Sequence, residues 1–142
     1  MAEWNNITAI DDKLLSVTRD HFRSVYVSDQ YKEKGSESLR INVISSEHKD
    51  YVSSMLEIRE YQYEFHLYFR RNNTDTRKIV AIRVDKLINI LSNAKNEQMW
   101  INLLVNKVEY SSDPDNEDQI VALVEATITK ETSLADMPDE DS

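Results

Sequence analysis

The sequence predicts an α+β domain, a mostly antiparallel sheet with helices packed on one face, in the order α-β-β-β-α-β-β. Three observations carry that prediction. Apolar residues recur at helical spacing in two segments, one near the N-terminus and one around residues 84–91. Several other runs alternate apolar and polar residues with a period of two, the longest at 61–70. Strand-like runs also follow one another without a helix between each pair, which suits segregated layers.

The first helix is expected over about 6–22. Ile7, Ile10, Leu14, Val17 and His21/Phe22 form one face, with Leu15 beside it, and Asp11, Asp12, Arg19 and Asp20 form the other. Asn5 or Asn6 serves as its N-cap. Residues 24–28 (SVYVS) are a short strand, and 29–38 a polar loop. In 39–45, Leu39, Ile41 and Val43 face one way and Arg40 and Asn42 the other, and 46–50 reads as a polar break.

The longest strand is expected over about 55–71. Tyr61, Tyr63, Phe65, Leu67 and Phe69 share one parity; Gln62, Glu64, His66, Tyr68 and Arg70 share the other. Leu56 and Ile58 fall on the second set. Either a bulge near Arg59–Glu60 resets the register, or the strand is long enough to reach beyond its own sheet and bury its opposite face elsewhere. Residues 72–78 are a turn. Ile79–Arg83 either continues a strand or leads straight into the second helix, which Asp85 caps and which carries Val84, Leu87, Ile88 and Leu91, with Lys95 in its last turn and Asn96 at its stop. Strands at about 100–110 and 119–130 close the domain, the last with Ile120, Ala122, Val124, Ala126 and Ile128 on one face. The acidic, proline-containing segment 111–118 is a loop between them.

The 142 residues fit a single domain, 1–130, with an acidic tail, 131–142. Glu131, Asp136, Asp139, Glu140 and Asp141 lie there with no basic residue after them, as expected of a solvated segment or one that docks on a neighbouring subunit. Seventeen Lys+Arg against 26 Asp+Glu give a net charge of −9, which argues against gripping nucleic acid or an anionic membrane. Zero cysteines remove disulfides, thiolate metal sites and cysteine nucleophiles, and a single glycine, Gly35, leaves no glycine-rich phosphate loop. No targeting segment and no apolar run of transmembrane length are seen, so the chain is expected in a reducing cytosol.

Motifs for chemistry are missing. His21, His48 (in a loop) and His66 (on the wet side of the long strand) share no ligand spacing. No serine has a histidine at a nucleophile spacing. Asp113, Asp115, Glu117 and Asp118 lack the glycine and terminal glutamate of a calcium loop and read as a solvated hairpin end. The aromatic stripe from Tyr61 to Phe69 could stack bases only inside a basic groove, and Glu57, Glu60 and Glu64 interrupt it, so it reads as core. No enzyme activity, cofactor or metal is expected.

The layout resembles the tail terminator (tail completion) proteins of long-tailed bacteriophages, and the closely related head–tail connector proteins share much of it. An opening helix is followed by Val25-Tyr26-Val27, then by Leu39-Arg40-Ile41-Asn42-Val43, then by the aromatic strand Tyr61–Arg70. The helix around Val84–Leu91 and two closing strands, the last including Val121–Thr129, complete the likeness over about 7–130. The acidic end does not map onto the family. The resemblance implies a homo-hexameric ring that caps the tail tube, stops its growth and joins it to the head–tail connector or stopper protein. DNA would pass through the lumen without specific binding. It also implies a place in the virion neck, after assembly in the host cytoplasm, and no membrane contact. In such a ring Arg70, Arg71 and Arg77 of one subunit would meet Asp50, Glu57 or Glu60 of the next. The competing reading is a small acidic cytosolic adaptor or inhibitor that acts by protein–protein contact.

Overall fold

Five strands form one sheet in the order β1-β2-β3-β5-β4 in the computed structural model, which describes residues 2–22, 24–27, 37–70, 76–94, 100–113 and 116–133. The elements are α1 (Ala2–Thr18), β1 (Val25–Val27), β2 (Glu37–Ser53), β3 (Leu56–Arg70), α2 (Thr76–Ala94), β4 (Asn102–Asp113) and β5 (Asn116–Ser133). β1 runs parallel to β2, and every other pairing is antiparallel. The order α-β-β-β-α-β-β and the α+β class match the expectation.

Period-two alternation builds the core. Tyr61, Tyr63, Phe65, Leu67 and Phe69 of β3 are all buried, and their directly opposed partners Ile128, Ala126, Val124 and Ala122 on β5 are fully buried beside them. Leu39 and Ile41 extend this face across β2. Ile10 and Leu14 of α1, and Val80, Val84, Leu87 and Leu91 of α2, recur at three- and four-residue steps and cover it. Both helices lie on this one side.

Several expected boundaries move. α1 begins at Ala2 and ends at Thr18, so Asn5 and Asn6 lie inside its first turns and are not caps. In its last turn the Thr18 hydroxyl donates back to the Leu14 carbonyl at 2.7 Å, and the chain tightens to an i→i−3 bond from the His21 amide to the Thr18 carbonyl at 3.0 Å. Ile79–Arg83 belong to α2, which starts at Thr76, so Asp85 is mid-helix and exposed and is no cap. The exit of α2 is held by the Trp100 indole N–H, which donates to the Ala94 carbonyl at 2.9 Å. The expected stop at Lys95–Asn96 and the loop glycine Gly35 lie outside the described residues. Residues 46–50 are no break: β2 runs on to Ser53. Nor is 111–118 all loop, because β4 reaches Asp113 and β5 starts at Asn116.

One polar contact crosses the core. The Tyr63 hydroxyl donates to Asp11 Oδ1 at 2.8 Å. Burial, followed by the adjacent carboxylate, pushes the phenol far above its ordinary range, so it remains a donor at every working pH. Tyr63→Phe is expected to cost about 1.5–3 kcal/mol, the value of a hydrogen bond to a charged acceptor. Phe65→Ala should cost more, about 3–5 kcal/mol, because it opens a cavity at a fully buried position. Urea denaturation midpoints check both.

Candidate functional site

The outer end of the β2–β3 hairpin, beyond Tyr61, is the part of the molecule that its own core does not use. Fourteen steps separate Leu56 from Arg70, about 46 Å at roughly 3.3 Å per residue. β3 pairs with β5 in unbroken register from Leu56 to Arg70, so no bulge resets it near Arg59–Glu60. β3 also pairs with β2 and β5 along its length and stays inside its own sheet, so neither alternative open in the sequence holds as stated. The resetting occurs on the other strand, where Ile44, Lys49 and Val52 are each extra residues in β2 opposite the regular β3.

Beyond Tyr61 the helix-bearing face turns polar. Glu57 is buried there and holds both cations around it. Its Oε2 lies 2.7 Å from His48 Nδ1, and its Oε1 accepts from Arg59 Nε at 2.9 Å. Arg59 also donates to Ser46 Oγ at 2.9 Å, and the His48 ring packs on Tyr51 with centroids 4.3 Å apart. Burial raises the Glu57 pKa, but the hydrogen bonds and charges of Arg59 and His48 outweigh it and hold the carboxyl below its ordinary value. Lys130, opposite Arg59 on β5, is pulled down by burial against the pull of Glu131. His48 is therefore a strand residue hydrogen-bonded to Glu57, not a loop residue. The tip carries Tyr51, Val52 and Met55, each half exposed or more, closed by the two-residue turn Ser54–Met55. The Ser53 hydroxyl accepts the Met55 amide there at 3.2 Å.

The expected contact residues separate to the two ends of β3. Arg70 ends the strand and Arg77 lies on the first turn of α2, both exposed; Arg71 lies outside the described residues. Asp50 and Glu60 sit on the hairpin. Asp50 Oδ1 accepts the Tyr51 amide at 2.8 Å, and Glu60 is 3.6 Å from Lys49 Nζ. Glu57 is already committed within its own chain. Sequence reading gave no part to Tyr51, Val52 and Met55, or to Ile79 and Ile82, which are 45 % and 57 % exposed on α2. Helical phase from the buried Val80, Val84, Leu87 and Leu91 would have placed the two isoleucines outside.

The face without helices carries Glu47 and Asp50 of β2, Glu60 and Glu64 of β3, Glu125 and Glu131 of β5 and Glu109 of β4, against Arg40, Arg70 and Lys107. His66 lies on this face, half-buried, 3.4 Å from Glu64 and stacked on Tyr68. Asn106 donates to Thr127, which donates to Gln62, at 2.7 and 2.9 Å, tying β4, β5 and β3 together across it.

Between the helices lies an open cleft of about 410 Å³ reached by His21 and Lys86. Among the described residues no group of three His, Asp or Glu side chains could hold a metal, and no helix is long and apolar enough to cross a membrane. The calcium-loop candidates of 113–118 have no described side chains.

No family model and no curated protein matches the chain. Its fold does have a solved counterpart. The chain is similar to one from the virion of a native gene transfer agent (GTA) particle, with a TM-score of 0.53 and 11 % identity over 92 % of each chain. The likeness establishes the fold over nearly the whole length.

Glu57 makes stability depend on pH in the acid range. A carboxyl whose folded pKa lies below its unfolded value stabilises fully above the unfolded value, near 4.5, and that contribution is lost as pH falls through the folded value. Wild type should therefore lose stability between about pH 5 and 3 by more than Glu57→Gln does. Urea midpoints measured across that range compare the two. At pH 7 Glu57→Ala should cost about 3–5 kcal/mol, because it strands Arg59 without its carboxylate.

Proposed function

We propose that this chain is a structural protein of a phage-like virion, a tail terminator that closes into a homo-hexameric ring on the tail tube. The ring stops tube growth and joins the tube to the head–tail connector, and DNA passes through its lumen. The observation that carries the reading is the fold likeness, over 92 % of both chains, to a chain of a virion particle. The chain works by shape and association and turns over no substrate.

The charge distribution suits that role. On the helix-free face Glu47, Asp50, Glu60, Glu64, Glu109, Glu125 and Glu131 outnumber Arg40, Arg70, Lys107 and Lys49, which sits on Glu60, and make a wall that repels phosphate. Such a wall lets DNA slide, because no counterions are released by contacts that do not form. Subunit contacts draw on the two ends of the long strand, with Arg70, Arg71 and Arg77 at one end and Asp50 and Glu60 at the other. Glu57 supports its end from inside the chain.

Negative-stain images and native mass spectra of the purified chain are expected to show six-membered rings, and duplex DNA should not be retained even at low salt. In the parent phage, loss of the gene should give tails longer than normal. Normal-length tails lacking heads would instead assign the chain to the connector. A monomer or dimer at every concentration would leave the adaptor reading in its place.

A further inference from the structure

We infer that the tip of the β2–β3 hairpin docks onto the exposed face of the first half of α2 in a second copy of this chain. The inference rests on the ring reading and names the two surfaces that meet. Each surface is apolar at its centre. The tip offers Val52 and Met55, 53 % and 50 % exposed, beside Tyr51; α2 offers Ile79 and Ile82. Their charged surroundings are of opposite sign. Glu47 and Asp50 are exposed near the tip, where Lys49 is drawn to Glu60 at 3.6 Å. Arg77 and Lys78 precede Ile79 on the same helical turn and are exposed, and Lys86 lies one turn beyond Ile82, with Asp85 the only acid in the first half of α2.

The two surfaces cannot meet within one chain. The tip lies at the Leu56 end of β3, and the first half of α2 follows its Arg70 end, a strand length of about 46 Å at roughly 3.3 Å per residue. A contact between two different patches is heterologous, and repeating it around an axis closes a ring. Pairing of free strand edges between copies fits less well. The outer edge of β2 is interrupted by the bulges at Ile44, Lys49 and Val52, and the edge of β4 by the one at Asn106, each of which breaks the hydrogen-bond rhythm that a continuous ladder needs.

The test uses the full chain with Met55→Asp and Ile82→Asp, made separately and followed by sedimentation and native mass. Both positions are exposed, so thermal melts should stay close to wild type. Each variant alone is expected to weaken assembly by at least about tenfold, the effect of losing one anchor residue. Mixed one to one, they should form a heterodimer that grows no further. The Ile82→Asp chain keeps an intact tip and the Met55→Asp chain an intact α2 face, so one sound junction remains. If wild type forms rings and both folded variants do so equally well, the docking is overturned while the ring stands. If wild type stays monomeric throughout, ring and docking fall together. Val52→Ser and Ile79→Ser, milder changes at the same surfaces, decide the matter should an aspartate variant fail to fold.

Discussion

Strand and helix advance at different rates, and that mismatch shapes this molecule. An α-helix rises about 1.5 Å per residue and a strand about 3.3 Å. The 19 residues of α2 therefore span about 28 Å, against about 50 Å for the 15 residues of β3. Two helices of this length, even laid along the strands, cover little more than half of one face. The sheet beyond them must satisfy itself by other means. It does so first with charge, in the cluster around Glu57, and then, at the tip, by leaving apolar side chains uncovered.

The Glu57 cluster acts on register more than on gross stability. A buried ion pair recovers little net free energy after desolvation, but removing one partner is expensive. Here the partners sit on two strands, Ser46 and His48 on β2 and Glu57 and Arg59 on β3. β2 has extra residues on either side of His48, at Ile44 and Lys49, so its pairing could slip. A slip of one residue in β2 would turn Ser46 and His48 to the other face and separate them from Arg59 and Glu57. Thr132, opposite Glu57 on β5, is buried with no hydrogen-bond partner for its hydroxyl among the described residues. The network is closed between β2 and β3 and open toward β5.

The fold was legible where one periodicity ran without interruption. The stripe Tyr61–Phe69 and the set Ala122–Ile128 alternate strictly and are the centre of the core. The parity change at Leu56 and Ile58 marks where the helix-bearing face of β3 turns polar, at Glu57 and Arg59, and not a strand that leaves its sheet. What could not be read was the polar strand. Ser46–Asp50 has no apolar alternation because its side chains face solvent or the Glu57 cluster, and it is a strand only because β3 pairs with it. Asp85 misled for a related reason. An aspartate ahead of an apolar stripe is a cap when the helix starts there, but Val80 and Val84 already lie on the buried face one and two turns earlier. The exposed anchors escaped because Val52, Met55, Ile79 and Ile82 are apolar residues that no intrachain pattern requires.

An outrunning hairpin with an apolar tip is an aggregation hazard unless its edge is made unattractive to other strands. The three bulges of β2 answer this on one side, and the bulge at Asn106, followed by Lys107, answers it on β4. Each bulge increases local twist and leaves one residue out of the ladder, so a second flat strand finds no continuous partner. The backbone is thereby withdrawn from association while the tip side chains remain available. In the proposed ring, selectivity between copies comes from side-chain shape and charge. That is a more discriminating basis than an open ladder, which accepts any extended chain with free amides and carbonyls.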